Sequence, residues 1–140
     1  MIIACATNQG LQFVSCHFGD AEKFYIYEIK KDQISLLEII DNRTEPEDSN
    51  KHADPKKAKG ITALLKKKHV QVVMARFYGP NIKRIVQHFV PVIAAGNDVQ
   101  EGLHALMDVR ERIEEIVRVH DQRTYFSLKN NREAKINVKS

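Results

Sequence analysis

The feature that most restricts the fold is a unit of apolar strand, glycine-containing turn and amphipathic helix that occurs twice in succession. Residues 70–75 form an apolar run of strand length, and Gly79-Pro80-Asn81 then starts a segment with apolar residues at helical spacing. Residues 90–94 repeat the strand pattern, and Gly96-Asn97-Asp98 repeats the turn before a helix that begins at Val99. This alternation predicts an α/β protein in which parallel strands, joined by right-handed crossovers, lie buried between layers of helices.

The N-terminal part of the chain predicts three further strands. Residues 2–7 form a short apolar strand, and residues 24–30 alternate in the manner of a sheet strand with two usable faces. Lys31-Asp32 is a tight connection, so a third strand over residues 33–40 is expected to pair with the second as an antiparallel hairpin.

A polar segment and a lysine-rich helix follow the hairpin. The composition of residues 41–54 predicts a mobile loop, and Asp54-Pro55 then supplies the carboxylate and proline typical of a helix start. The apolar stripe of this helix ends near Lys67. We interpret the flanking lysines as its solvated face and expect no nucleic acid partner, non-specific nucleic acid binding being the weaker alternative. These lysines are Lys56, Lys57, Lys59, Lys66, Lys67 and Lys68.

The C-terminal part predicts one long helix and a polar tail. The apolar face that begins at Val99 continues through residues 109–117, so a single helix is expected. The tail from Gln122 has too few apolar residues for a core of its own, and we expect it to be either flexible or docked on a partner. These patterns predict an α/β domain over residues 1–107 and a helical and basic extension over residues 108–140.

Composition limits the size and the environment of the protein. A chain of 140 residues is long enough for one buried core, and its apolar runs are far shorter than the ~20 residues that span a bilayer. No secretory signal is visible, so a cytoplasmic location is expected. In a reducing cytosol the two separated cysteines, Cys5 and Cys16, are not expected to form a disulfide.

One short stretch places reactive side chains beside a turn. Cys16 and His17 come just before Gly19, which can turn the backbone ahead of the strand over residues 24–30. Thiolate and imidazole are ligands that iron–sulfur-type clusters accept. The structural alternative makes Cys16 a small buried apolar residue and His17 an ordinary turn residue. The other histidines that we considered show no ligand-like pairing and are expected at helix surfaces or caps: His69, His88, His104 and His120.

Four features occur in order over residues 1–106. They are Ala6-Thr7-Asn8 with Gly10, then His17-Phe18-Gly19 with Ala21 ahead of Phe24-x-Ile26-Tyr27, then Gly79-Pro80-Asn81, and finally the short strand before Val99 to Leu106. Together they resemble the dinitrogenase iron–molybdenum cofactor biosynthesis family, whose members are small proteins that carry or hold metal–sulfur cofactors and their precursors. The resemblance implies a ribonuclease H-like fold, with a mixed five-stranded sheet of an antiparallel hairpin plus parallel strands, flanked by helices.

The resemblance also implies a non-enzymatic carrier of an anionic iron–sulfur or iron–molybdenum type cofactor. The turn histidine of the family corresponds to His17, which would bind the metal. Cys16 is an adjacent candidate metal ligand that the family pattern does not supply. Arg76 and the helix start at Asn81 would meet the negative charge of the cluster. The same motifs add Asn8, Gly19 and Gly79 to the expected cofactor-binding residues. The implied partners are the proteins that donate or accept the cluster.

Two features qualify this function. Residues 2–7 carry no carboxylate and the chain has no P-loop or G-x-S-x-G motif, so nuclease, kinase and hydrolase activities are not expected and the protein is predicted not to be an enzyme. The family often has glycines or a cysteine before the Gly-Pro-Asn turn, whereas residues 75–78 are Ala-Arg-Phe-Tyr, which predicts a narrower pocket without that soft ligand. The alternative function is a protein-interaction or oligomerisation module with a degenerate pocket, acting through the C-terminal helix and the basic tail.

Overall fold

Seven strands form one mixed sheet in the computed structural model, which describes residues 1–42 and 55–137. The strands are β1 (Ile2–Ala6), β2 (Lys23–Lys30), β3 (Gln33–Asp41), β4 (Val72–Ala75), β5 (Val90–Ile93), β6 (Thr124–Ser127) and β7 (Arg132–Lys135). The helices are α1 (Pro55–Lys67), α2 (Ile82–Ile85), α3 (Val99–Asp108) and α4 (Arg110–Val119). The strand order is β3-β2-β1-β4-β5-β6-β7. The α/β class is confirmed, but the expected number of five strands is wrong.

The first five strands have the directions that the sequence predicts. β2 and β3 pair as an antiparallel hairpin whose connection places Lys31 in the left-handed region, with φ 54°. β1 pairs with β2 in antiparallel orientation and with β4 in parallel orientation, and β5 pairs in parallel with β4. The helix expected to end near Lys67 does so. Its expected cap at Asp54, and nearly all of the loop expected over residues 41–54, lie outside the described residues.

Helices cover both faces of the sheet, because the side chains of each central strand alternate between two cores. On one face Ala4 and Ala6 pack with residues from α1 and α2, including Ile61 and Ile85. On the other face Ile3 and Cys5 pack with residues from α3 and α4. The connections β4–α2–β5 and β5–α3–α4–β6 run in the same direction across the sheet but on opposite faces, so they have opposite hands. The second connection was not expected, because the sequence predicted no strand after residue 94.

The expected single helix over residues 99–117 is instead two helices. α3 begins at its N-cap Asp98, whose carboxylate accepts a hydrogen bond from the Glu101 N–H, and it ends at Asp108. Val109 leaves helical geometry, with φ −115° and ψ 19°, and α4 begins at Arg110. A straight helix of this length would extend about 28 Å, whereas the four-residue strand β5 is about 13 Å long. The break keeps the apolar faces of both helices on the sheet.

The C-terminal residues add a hairpin to this sheet. β6 pairs in parallel with β5, and β7 returns in antiparallel along β6. Phe126 is fully buried, and the guanidinium carbon of Arg112 on α4 lies 4.8 Å from the centre of its ring. The described part of the tail therefore docks on the sheet of its own chain, and the expectation of a flexible or partner-bound tail is wrong for these residues. None of the described helices combines the length and the apolar character that a membrane-spanning helix needs.

Asp121 fixes the start of β6, and its replacement by alanine should destabilise the hairpin. The carboxylate accepts hydrogen bonds from the Arg123 N–H, the Thr124 N–H and the Thr124 hydroxyl, which lower its pKa below the usual value of 3.8. We expect Asp121→Ala to lower the free energy of unfolding by about 2 kcal/mol at neutral pH. Because the folded-state pKa is lowered, this difference should be complete above about pH 4 and should shrink as the pH falls further.

Urea unfolding of the wild type and the variant at several pH values measures this difference. The control is Asp32→Ala, since the Asp32 side chain is 91% exposed and its ion pair with Arg110 is worth little. An Asp121→Ala effect no larger than that of the control, or one that grows as the pH falls, would contradict the assignment.

Candidate functional site

The motif residues meet at one edge of the sheet. β1, β4 and β5 are parallel, so their carboxyl ends lie at the same edge, and each is followed by a loop that carries a sequence motif. These loops are residues 7–17, residues 76–81 and residues 94–98. Ligands of open α/β sheets bind in the crevice beyond the carboxyl ends of the strands. The motifs therefore lie where open α/β sheets usually bind their ligands.

The loop after β1 is held by a buried threonine and a glycine. The Thr7 hydroxyl donates to the Gln12 carbonyl oxygen at 2.6 Å and accepts from the Gly10 N–H at 3.0 Å. Gly10 has φ 82°, and a Cβ atom there would meet the ring of Tyr25. The closed loop borders a groove of about 480 Å³, lined by Asn8, Gln9, Leu11, Gln12, Phe13, Val14, Ser15 and Cys16.

His17 packs directly on Gly79. Gly79 has φ 69°, and a Cβ atom built there would overlap the imidazole ring of His17, nearest to Nδ1. The backbone joins the same two turns, because the Phe18 N–H donates to the Phe77 carbonyl oxygen at 2.8 Å. His17 is half-buried, and its imidazole makes no hydrogen bond to any residue that the structure describes. The two most specific motifs of the sequence thus form one contact.

Aromatic packing in the core fixes the positions of the two turns that carry His17 and Gly79. The Phe18 ring lies 5.0 Å from that of Phe24 and 5.6 Å from that of Tyr78. The buried Tyr78 hydroxyl lies 2.7 Å from the Val92 carbonyl oxygen and 2.9 Å from that of Val73, its two hydrogen-bond acceptors. Burial raises the pKa of this hydroxyl, which keeps it a donor. Tyr78 therefore belongs to the core, and the expectation that it narrows the pocket is wrong.

Arg76 and Asn97 connect the remaining loops. The Arg76 guanidinium donates to Oδ1 of Asn97 and lies over the exposed ring of Phe77, 4.9 Å from its centre. The Asn97 carbonyl oxygen accepts from the Phe13 N–H at 2.7 Å. Asn97 had no predicted role at the site. Its position in the turn that follows a predicted strand, at the carboxyl edge, was the available signal.

The start of α2 differs from the expected anion site. The Ile82 N–H donates to the Gly79 carbonyl oxygen and the Arg84 N–H to that of Asn81, so these amides already have partners. α2 has only four residues, which leaves little helix dipole. Asn81 is 9% exposed, and its Oδ1 has no hydrogen-bond partner among the described residues. The expectation that the backbone at Asn81 binds the negative charge of a cluster is therefore not supported by this geometry.

The other predicted residues lie in different surroundings. Asn8 is exposed at the groove, and its Oδ1 accepts from the Glu22 N–H at 3.0 Å. Gly19 is buried, faces Ile61 of α1, and its carbonyl oxygen accepts from the Asn42 side chain. It therefore lies away from the groove.

The two cysteines have opposite environments. Cys16 is exposed at the groove, whereas Cys5 is buried within β1. Burial raises the pKa of the Cys5 thiol far above its usual range, so Cys5 stays protonated and is a poor metal ligand. Within the described residues, no group of three or more His, Cys, Asp and Glu side chains could hold a metal ion. His17 and Cys16 are thus a set of at most two donors.

The comparisons with known proteins agree with the motifs. The family model described as "Dinitrogenase iron-molybdenum cofactor" matches residues 1–109. The fold is similar to the NMR structure of a NifB-like protein of the DUF35 family from Thermotoga, with a TM-score of 0.51 and 21% sequence identity. The similarity covers 78% of this chain and 89% of that chain. No curated protein matches the chain. With more than three quarters of its length matched by the family model, the chain belongs to the dinitrogenase iron–molybdenum cofactor family.

Proposed function

We propose that the protein is a non-enzymatic carrier that holds an anionic iron–sulfur or iron–molybdenum type cluster as cargo at the carboxyl edge of its sheet. The observation that carries the proposal is the His17 imidazole, held against Gly79 beside an open groove and without a hydrogen-bond partner in the described structure. A neutral imidazole in that state can bind a metal without first losing a protein contact.

The small number of candidate metal ligands suits a cluster that the protein releases to a partner. Resident iron–sulfur clusters are commonly held by four thiolates, whereas here His17 and the exposed Cys16 are the candidate ligands. Two protein ligands would leave other metal positions to the donor or acceptor protein. Arg76 supplies a positive charge beside the site, although Asn97 already takes one of its hydrogen bonds. A reducing, cytoplasmic setting would keep the Cys16 thiol available.

The proposed fold is ribonuclease H-like. The order β3-β2-β1-β4-β5, with an antiparallel hairpin on one side of β1 and parallel strands on the other, supports this assignment for the first five strands. The boundary near residue 107 between this unit and a C-terminal extension remains a prediction.

The alternative of oligomerisation through the C-terminal helix loses its main argument. Ile113 is fully buried and Ile116 is 7% exposed, because α4 packs on the sheet of its own chain. The apolar stripe that would have paired with a partner helix is therefore already covered. Val119 is exposed, but one residue does not make an interface.

Anaerobic reconstitution with ferrous iron and sulfide tests the proposed function. After desalting, the wild type should retain iron and show charge-transfer absorbance in the visible range. We expect His17→Ala to lower the retained iron by about tenfold or more, because it removes the better positioned ligand. Cys16→Ala should have a smaller effect of the same sign.

The matched control is His104→Ala, which removes an exposed histidine on α3. This variant should retain as much iron as the wild type. The site assignment is wrong if His17→Ala and His104→Ala retain equal amounts, and the carrier function is wrong if the wild type retains no cluster from iron and sulfide or from an isolated iron–molybdenum cofactor.

A further inference from the structure

The net positive charge of the chain is concentrated in one segment. Residues 55–97 contain nine Lys and Arg residues and no Asp or Glu, which gives this segment a formal charge of +9. The whole chain has a formal charge of +4, so the remaining residues are net negative. The segment comprises α1, β4, α2 and β5. Because the two strands are buried, its charges belong mainly to the helices and the connecting loops.

Four of these charges, among the side chains that the structure describes, lie on one side of the molecule. α1 and α2 cover the same face of the sheet, where Ile61, Leu65 and Ile85 share a core. The side chains of α1 and α2 that point away from this core include four exposed basic ones. None of these four forms an ion pair with a described residue. We call these four the basic face: Lys66, Lys67, Lys83 and Arg84.

Two neighbours show how far the positive field extends. Lys68 lies outside the basic face, because it forms an ion pair of 2.9 Å with Glu38 on β3. His88, which follows α2, has a lowered pKa, first because of partial burial and then because of electrostatic repulsion from Lys66 and His120. Lys66 on α1 therefore lies close enough to act on a residue that follows α2.

We propose that the basic face is the docking surface for an acidic surface of a partner protein. Seven of the nine basic residues in the segment are lysines. Lysine acts as a point charge that steers an oppositely charged protein toward the surface, whereas arginine can bind a phosphate through two parallel hydrogen bonds. The exposed side chains described on α1 and α2 include no aromatic ring on which a nucleic acid base could stack. An acidic protein therefore fits this face better than a nucleic acid.

A second copy of the chain is a poor occupant. No helix or strand that the structure describes has more than two acidic residues in excess of its basic ones, so a second copy presents no strongly acidic described element. The docking proposal does not depend on cluster carriage. The Gly-Pro-Asn turn does run directly into α2, so a partner bound to the basic face would lie beside the candidate site.

Fluorescence anisotropy with the full chain tests this proposal. The probes are a fluorescein-labelled poly-glutamate peptide and a labelled DNA duplex of similar charge, each at about 0.05 M and about 0.2 M salt. The test variant is the triple charge reversal Lys66→Glu, Lys83→Glu and Arg84→Glu. The control is Arg123→Glu, Lys129→Glu and Arg132→Glu, which makes the same change in net charge with exposed residues of the C-terminal hairpin.

We expect the test variant to bind poly-glutamate at least about tenfold more weakly than the wild type, and the control to change by less than about threefold. Equal losses in both variants would mean that only net charge matters and would overturn the proposal. No binding by the wild type at low salt would also overturn it. Tighter binding of the DNA duplex, lost in the test variant, would assign the face to nucleic acid instead. Unchanged iron retention in the test variant would show that docking and cluster carriage are separate properties.

Discussion

Replacement of Gly79 by alanine is expected to displace His17 and to abolish cluster retention as fully as His17→Ala does. The added Cβ atom would overlap the imidazole ring, and the φ of 69° is unfavourable for any residue with a Cβ atom by about 1–2 kcal/mol. Both effects act on the same contact, so the ring must leave its place. We expect the free energy of unfolding to fall by about 1–3 kcal/mol, and retained iron by about tenfold or more.

Gly96→Ala is the matched control for Gly79→Ala. Gly96 lies in the neighbouring loop, has no positive φ, and a Cβ atom there would meet nothing within 4 Å. This variant should keep both the stability and the iron retention of the wild type.

Modification of His17 by diethyl pyrocarbonate, followed by mass spectrometry, gives a readout that does not require a cluster. The reaction should be faster in Gly79→Ala than in the wild type, because the ring is no longer packed. Equal reaction rates in the two proteins would show that Gly79 does not hold the imidazole.

The sequence indicated both partners of this contact but not the contact itself. His17 and Gly79 each stand in a motif, and the parallel strands predicted before and after them suggested a shared sheet edge. Their packing depends on the exact placement of two turns that are 62 positions apart in the chain. That placement comes from Phe18, whose ring is buried between Phe24 and Tyr78. Local patterns cannot supply contacts of this kind, because the core sets them after the elements have packed.

Tyr78 and the last two strands show two further limits of sequence reasoning. A bulky Tyr beside a motif predicted a narrower pocket, but its hydroxyl could be buried because the Val73 and Val92 carbonyl oxygens accept its hydrogen bonds. β6 and β7 were missed because strands of four residues have too few apolar side chains for a core of their own. β6 shares the core beneath β5 through Phe126, and β7 pairs along β6. The β-prone Thr-Tyr-Phe-Ser run of β6 was a signal for that strand.

Phe18→Ala should have the largest effect on stability of any substitution considered, with a loss of about 3–5 kcal/mol in the free energy of unfolding. Phe18 is fully buried, contacts two aromatic rings, and belongs to a turn whose backbone also bonds to Phe77. Removing the ring leaves a cavity in one of the two cores that cover the sheet. Since domains of this size have only about 5–15 kcal/mol of stability, a large fraction of it would be lost.

Phe77→Ala is the matched control, because it removes the same side chain from the adjoining turn, where it is 41% exposed. We expect it to cost less than about 1 kcal/mol. If Phe18→Ala fails to fold, Phe18→Leu keeps most of the buried volume and should cost about 1–1.5 kcal/mol, so the order Phe18→Ala, Phe18→Leu, Phe77→Ala remains measurable by urea unfolding. An equal cost for Phe18→Leu and Phe77→Ala would mean that the core does not fix the position of the turn. The packing of the His17 ring on Gly79 would then need another physical cause.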